Sequence, residues 1–203
     1  MILPLLYIME FFGYILIAFV LIVCIKMYYE SDAFNLKCIV SDVDGNTYCV
    51  RERAKLELAA NLLARVTEKL KILVKKLGKL FPKRENIQRL VGKFNPKKVS
   101  ETLPTSSYTA YSENKGEKLA FCTTTTKEGD QLIDENTLTF VAIHELAHIM
   151  TVSVGHTSEF WQNFRFLLKN AIDLNLYEPV DYKKKPVSYC GMEITDNPYY
   201  DLN

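Results

Sequence analysis

The segment FVAIHELAHIMTVSVGHTSEFWQNF, Phe140–Phe164, contains every histidine of the chain: His144, His148 and His156. Apolar residues recur at helical spacing in and just before its first half, at Leu138, Val141, Ala142, Leu146 and Ile149. This spacing predicts a helix with one apolar side against a core. On such a helix His144 and His148 are one turn apart and project in the same direction.

Two imidazoles fixed in this way can bind one metal ion from one side. A tetrahedral Zn²⁺ site that leaves its fourth position open for water needs a third protein ligand. His156 is the predicted third ligand, because Gly155 can end the helix in a left-handed turn that returns the chain toward the pair. Glu159 is the alternative ligand, although it also suits the dipole of a second helix predicted to start near Thr157. Zn²⁺ is the predicted cofactor.

Glu145 lies beside the histidine face, in a His-Glu-x-x-His pattern. A carboxylate there can take a proton from metal-bound water, whose pKa zinc lowers to about 7. The pattern therefore predicts a zinc metallopeptidase, with Glu145 as general base and a protein or peptide as substrate. Thr151 and Val154 stand where a metzincin has glycine and histidine, which excludes that class.

The amino-terminal 30 residues predict a membrane anchor. Phe11–Tyr29 carries one charge, Lys26, and is long enough to cross a hydrocarbon core of ~30 Å as a helix. No basic region precedes it and no small-residue cleavage site follows, so an anchor is favoured over a cleaved signal peptide. Basic residues follow the span and none precede it, which predicts a single-pass protein with its globular part on the cytoplasmic side.

The predicted fold class is α+β, with a few-stranded sheet and the histidine helix after an amino-terminal transmembrane helix. The formal net charge of +1 over 203 residues indicates no class of partner. The predicted divisions are a transmembrane anchor (1–30), a globular domain (31–176) and a carboxy-terminal strap (177–203). Within the domain, 31–99 holds a hairpin and basic helices, and 100–176 holds the catalytic core.

Two hairpins and two helices are predicted ahead of the histidine helix. The first hairpin turns at Asp44–Asn46, and the second pairs Ser106–Ser112 with Lys118–Thr124. Helices are predicted over Glu52–Leu80 and Arg84–Phe94. The first of these helices has an apolar stripe of Leu56, Ala59, Leu63, Val66, Leu70, Leu73 and Leu77.

The region 65–98 is markedly basic, and two interpretations remain open. One is a solvated helix face. The other is a surface for phosphate groups, belonging either to anionic lipid or to nucleic acid. The lack of interleaved aromatic residues argues against stacking of single-stranded bases.

The cysteines are odd in number and contain no CxxC pair: Cys24, Cys38, Cys49, Cys122 and Cys190. This pattern favours reduced thiols in a reducing compartment, although the first hairpin would allow a bridge between Cys38 and Cys49. The strap is predicted to be extended and to pack back on the domain. In the alternative, the strap lies in the cleft with Cys190 or Tyr189 near the metal, as an inhibitory or oxyanion-stabilising group. If the zinc site were only structural, Cys190 would be the candidate for a closing fourth ligand.

HELAH followed by GHTSEFW resembles the SprT-like and WLM-type (Spartan-related) minimal zinc metalloproteases over Leu103–Leu176. The resemblance implies zinc ligands, a catalytic acid/base and a packing aromatic at these positions: His144, His148 and His156; Glu145; and Phe160 or Trp161. It implies a small zincin-like, minigluzincin-type endopeptidase in which the edge strand of a sheet above the metal helix binds the substrate chain. The anchored form also resembles proteins of large DNA viruses, for which the cytoplasmic side corresponds to the virion interior.

Two other classes compete with the enzyme. One is a membrane-anchored structural protein, of a virion for example, whose zinc site only staples a small domain. The other is an adaptor that binds lipid or nucleic acid through the region 65–98. Glu145 favours the enzyme, because a purely structural site has no use for that acid.

Overall fold

A computed structural model describes residues 3–30 and 36–202, and divides the chain into two compact units between Asn35 and Leu36. The first unit is one helix, α1 (Leu3–Glu30). Its segment Phe11–Tyr29 has a mean hydropathy of 2.3 and is unburied. The helix is therefore long and apolar enough to cross a membrane, a property that signal sequences share. The predicted side of the membrane stays a prediction.

The second unit contains a mixed five-stranded sheet in the order β1-β2-β3-β5-β4. The strands are β1 (Leu36–Val40), β2 (Thr47–Arg51), β3 (Val99–Glu101), β4 (Ala110–Glu113) and β5 (Lys118–Phe121). Both predicted hairpins are confirmed, as the antiparallel pairs β1-β2 and β4-β5. The short strand β3 was not predicted; it joins the hairpins by pairing parallel to β2 and β5. The unit is thus α+β, as expected.

The unit has four α-helices: α2 (Leu56–Leu80), α3 (Glu85–Lys93), α4 (Glu135–Met150) and α5 (Ser158–Asp173). Of these, α2 and α4 pack against the strands of the sheet. The predicted stripe of α2 is buried, apart from the half-buried Leu56 at its start. The helix begins four residues later than predicted, after a turn at Glu52–Lys55. Helix α4 packs against α2, α3 and α5 and lies beside β4, which places it at the centre of the fold.

The carboxy-terminal segment packs back on the domain, as predicted, but it is folded rather than extended throughout. It forms a hairpin, β6 (Val187–Tyr189) and β7 (Met192–Ile194), and ends in a 3-10 helix (Pro198–Leu202). The buried Asn197 amide donates to the Tyr177 hydroxyl at 3.0 Å and to the Val180 carbonyl at 2.9 Å. These bonds satisfy polar groups that would be costly to bury unpaired.

Two disulfides contradict the expectation of reduced thiols. Cys38 and Cys49 are direct partners in the β1-β2 register, with Cα atoms 3.9 Å apart. Cys122, after β5, is bonded to Cys190 in the β6-β7 turn across 68 residues of sequence. The Cys38–Cys49 bridge is the alternative that the predicted hairpin allowed. The Cys122–Cys190 bridge was not predicted, because only the folding of the tail brings these two residues together. Disulfides persist in oxidising environments, so cysteine content no longer supports a reducing compartment.

The β4-β5 turn depends on Gly116, which predicts a large cost for Gly116→Ala. Gly116 has φ +114°, and an added Cβ would lie 2.7 Å from the Lys93 carbonyl oxygen and 3.1 Å from Ile149 Cδ1. Backbone strain and overpacking together predict a loss of roughly 2–4 kcal/mol of unfolding free energy. Urea unfolding of the full chain in detergent measures it.

Gly92→Ala is the matched control for Gly116→Ala. Gly92 lies within α3, and a Cβ there would meet nothing within 4 Å. Alanine at a helical position of this kind should stabilise the protein by about 0.4–1 kcal/mol. Equal effects of the two substitutions would contradict the packing described for the turn.

Candidate metal centre

Helix α4 holds the first two histidines on one face, because its ends are fixed and its other side is buried. The carboxylate of Asp134 caps the helix and accepts a hydrogen bond from the Thr137 amide at 2.8 Å. Both histidine side chains are half-buried. The Nε2 atoms of His144 and His148 lie 3.2 Å apart. The predicted one-turn juxtaposition is therefore present.

The third histidine reaches the pair through a loop. Helix α4 ends at Met150, so the prediction that Gly155 ends the helix is wrong; a loop, 151–155, intervenes. The left-handed turn does occur at Gly155, with φ +84°, directly before His156. His156 Nε2 lies 3.1 Å from His144 Nε2.

The three imidazoles form one cluster, with ligand atoms all within 4.8 Å of one another. Such a donor set can hold a metal ion, and imidazoles suit zinc among several metals. Burial lowers the pKa of His144 to about 3 and that of His148 to about 4, with smaller contributions from charged neighbours. Both rings are therefore neutral near pH 7, the form that binds a metal. Their role as ligands stays a prediction.

Aromatic rings of α5 line the cluster. The Phe160 ring centroid lies 4.8, 4.4 and 4.6 Å from those of His144, His148 and His156. Trp161 contacts His156 at 5.6 Å. Of the two aromatics singled out by the resemblance, Phe160 touches all three imidazoles. A fully buried phenyl group restricts the rotation of the rings and excludes water from beneath them.

Glu145 is 5% exposed and lies next to His144 on α4. Burial raises the pKa of this carboxyl group to about 8. A cation held by the imidazoles would oppose that shift, because a nearby positive charge favours the carboxylate. Burial and a bound cation thus act on the pKa of Glu145 in opposite directions.

The tail reaches this region, but not as a metal ligand. The sulfur of Cys190 is bonded to Cys122, so the alternative of Cys190 as a fourth ligand is wrong. The buried Tyr189 hydroxyl donates to the Thr109 carbonyl at 3.1 Å. Burial raises the pKa of Tyr189, and the Glu145 carboxylate raises it further.

Glu159, the alternative third ligand, is outside the cluster. Its carboxylate accepts hydrogen bonds from the Val152 amide at 3.2 Å and the Ser153 hydroxyl at 3.3 Å. Those bonds, that of the Val152 amide first, hold the pKa of Glu159 below its usual value. Glu159 therefore fixes the loop that precedes His156.

A contact that the sequence did not reveal holds the same loop from the opposite side. The ammonium group of Lys115, in the β4-β5 turn, donates to the carbonyls of Thr151 (2.7 Å), Val152 (2.5 Å) and Ser153 (3.1 Å). Arg89 of α3 donates to the Met150 carbonyl at 2.6 Å. Cations at these carbonyls complement the negative end of the α4 dipole. No local motif pairs a hairpin turn with a distant loop, so sequence reasoning had no signal for it.

The basic region 65–98 is used partly inside the fold. Glu135, in the first turn of α4, pairs with Arg65 and with Lys69, each at 2.7 Å. Four exposed lysines form no ion pair with any residue in 3–30 or 36–202, the ranges that the structure describes: Lys75, Lys76, Lys79 and Lys83. The predicted binding of lipid or nucleic-acid phosphates stays a prediction for this remaining face.

Comparisons with known proteins find viral relatives. No family model matches. "Uncharacterized protein R325" of Acanthamoeba polyphaga mimivirus is 34% identical over 172 residues, covering 83% of this chain and 85% of that protein. "Uncharacterized protein 136R" of Invertebrate iridescent virus 6 is 36% identical over 74 residues, which is 36% of this chain and 40% of that protein. "Uncharacterized protein 042R" of Invertebrate iridescent virus 3 is 41% identical over 61 residues, which is 29% of this chain and 36% of that protein.

Among solved structures, the crystal structure of a Wss1 mutant from S. pombe is similar, with 23% sequence identity and a TM-score of 0.41. The match covers 60% of this chain and 91% of that one. The mimivirus relative exceeds 30% identity over most of both chains. The chain therefore belongs to the family of the mimivirus uncharacterized protein R325.

Proposed function

We propose that the protein is a zinc-dependent endopeptidase held at a membrane by α1. The observation that carries the proposal is the cluster of His144, His148 and His156, whose ligand atoms all lie within 4.8 Å of one another. The buried Glu145 directly follows His144 in the chain. Three imidazoles leave one position of a tetrahedral zinc ion open, as catalytic sites require. The candidate for a closing fourth ligand, Cys190, is bonded elsewhere.

The three histidines would hold the zinc ion in their neutral form, and Phe160 would keep their rings in place. Zinc supplies Lewis-acid chemistry when bound, polarising a peptide carbonyl and making water a nucleophile near neutral pH. Glu145 removes the proton from the attacking water and delivers it to the leaving amine. Burial raises the pKa of Glu145 in the metal-free protein, and a bound cation would favour the carboxylate that a general base needs.

The edge strand β4 is the proposed site for the substrate backbone. Within residues 36–202 it pairs with β5 alone and lies at the end of the sheet, beside α4. An extended peptide can add to such an edge through main-chain hydrogen bonds. Because main-chain bonds do not depend on side chains, cleavage of proteins and peptides is expected to be broad in sequence.

The side of the membrane that the domain occupies needs a separate test. Basic residues after the span favour the cytoplasmic or virion-interior side, whereas the two disulfides favour an oxidising one. We propose the cytoplasmic or virion-interior side on the charge rule. Added protease should then digest the domain only in permeabilised cells that express the full chain; digestion in intact cells would place it outside.

Metal content and proteolysis measured on the same samples test the function. The full chain in detergent should bind one equivalent of zinc and cleave an unfolded protein. His156→Ala should weaken zinc binding beyond the ~10–100-fold typical of losing a group that only orients a ligand, and should abolish cleavage.

Glu159→Gln is the matched control for His156→Ala. The amide oxygen of glutamine can still accept the hydrogen bond from the Val152 amide, and its NH2 group can donate to the Ser153 hydroxyl oxygen, so zinc content and cleavage should persist. A full chain that takes up no zinc would refute the proposal. Loss of zinc in Glu159→Gln with retention in His156→Ala would reassign the third ligand.

A further inference from the structure

The loop 151–155 delivers His156 to the cluster, yet its central side chains do not anchor it to the core. Val152 and Val154 are 63% and 89% exposed. Hydrophobic burial therefore contributes little to its conformation. Polar contacts must keep the loop in place, and the most concentrated of them come from a single side chain.

That side chain is Lys115. Its three hydrogen bonds go to consecutive carbonyls, those of Thr151, Val152 and Ser153. An ammonium group has three donors, and here each one meets an oxygen of the loop. Charge-assisted bonds of this kind are stronger than neutral ones, so one residue fixes the backbone that leads to His156.

The turn that carries Lys115 is itself rigid. Asn114 and Lys115 have φ of +47° and +55°, in the left-handed region, which asparagine tolerates and lysine seldom adopts. The carbonyl of Gly116 accepts a hydrogen bond from the Asn95 amide at 3.1 Å, and Gly116 abuts Lys93 too closely to admit a Cβ. Backbone strain persists only where surrounding structure enforces it. The strained turn thus presents Lys115 from a fixed base.

Contacts from α5 complete the attachment of the loop. The Glu159 carboxylate binds the Val152 amide and the Ser153 hydroxyl, and that hydroxyl lies 2.7 Å from the Thr157 hydroxyl. The loop is thus held between a cation from the sheet and a carboxylate from the helix that follows it.

We propose that Lys115 is a positioning residue: it holds the loop so that His156 meets the other two imidazoles, and thereby sets the affinity of the cluster for zinc. The inference deepens the proposed function, since it rests on metal binding by the three histidines. It does not depend on peptide hydrolysis. It also makes the turn next to the edge strand β4 part of the support of the metal centre.

Lys115→Met tests the inference because methionine keeps much of the length of the side chain and removes the charge and the donors. The full chain in detergent is titrated with zinc against a chelator of known affinity. We expect the dissociation constant to rise about 10–100-fold, as when a group that orients a ligand is lost. Lys115→Arg, which keeps a cation, should restore part of the affinity. An unchanged dissociation constant in Lys115→Met would overturn the inference.

A double substitution separates positioning from a general loss of stability. When His156→Ala has removed the third imidazole, Lys115→Met should change zinc affinity by no more than about twofold, the scatter of uncoupled sites. An equal loss in both backgrounds would overturn the inference. The control is Lys98→Met: Lys98 makes an exposed pair with Glu117 at 3.2 Å, and its loss should leave affinity unchanged.

Two further outcomes are decisive. If Lys115→Met does not fold, Lys115→Gln replaces it; its amide can donate to part of the loop, and a smaller loss in the same direction is expected. Parental affinity in that variant overturns the inference while leaving the proposed function intact. A parent chain that binds no zinc overturns both.

Discussion

Glu145→Gln is expected to lower kcat/KM for peptide hydrolysis by roughly 10²–10⁴-fold, the range that a general acid or base contributes, while zinc content stays at one equivalent. The carboxyl group belongs to the residue that follows His144 in the chain and is 5% exposed, so water cannot readily take over its proton transfer. Glutamine keeps the size and loses the basicity. Cleavage of a fluorogenic unfolded protein and metal analysis of the same samples measure both effects.

The variant should fold, because the site already disfavours a charge at Glu145. Burial raises the pKa from 4.5 to about 8, so between these values the metal-free folded protein holds a proton that the unfolded chain has lost. Stability from this group therefore falls as pH rises through that window. Neutral glutamine lacks this dependence, and the metal-free variant should melt at or above the parental temperature at pH 8.

The outcomes separate the enzyme from its rival. Parental hydrolysis by purified Glu145→Gln would remove Glu145 as the base. A parent that binds zinc in the predicted way but cleaves nothing would favour the membrane-anchored structural protein. The intact acid beside an open three-histidine cluster is the reason we expect the first class.

Removal of the Cys122–Cys190 disulfide is expected to cost about 4 kcal/mol of unfolding free energy. The bond closes a loop of 68 residues, and the chain-entropy relation gives that magnitude for a loop of this length. The double substitution Cys122→Ser, Cys190→Ser, unfolded in urea beside the parent, measures it. Hydrogen bonds from the Cys190 and Gly191 amides to Thr124 and Thr125 should keep the tail hairpin attached in the native state.

The other disulfide is a natural comparison. Cys38 and Cys49 are 11 residues apart, and the same relation gives about 3 kcal/mol for their loop. The corresponding double serine variant should therefore lose less. A larger loss from the short loop, or free thiols at Cys122 and Cys190 in the oxidised protein, would contradict the assignment.

Features with a local pattern could be predicted from the sequence. The helical spacing around His144 and His148 and the left-handed glycine before His156 each follow from a few neighbouring residues. Such preferences act within one or two turns of chain. They were sufficient to bring the candidate ligands together.

Features that depend on distant segments could not be predicted. Strand β3 has three residues, too few for an alternation, and is defined by its parallel neighbours. Cys122 lies close to Cys190 only after the tail has folded. Lys115 reaches the carbonyl groups of the loop 151–155 only when the β4-β5 turn lies against α3. Tertiary packing creates these contacts, and no short stretch of sequence encodes them.

The long disulfide loop also affects how self-digestion would be detected. Its 68-residue span encloses all three histidines and the exposed loop at Val152 and Val154. A single cut there would leave both fragments covalently tied, so a non-reducing gel would show one band of unchanged mass. Adding a thiol before electrophoresis would separate the halves and expose a nick that had otherwise gone unseen.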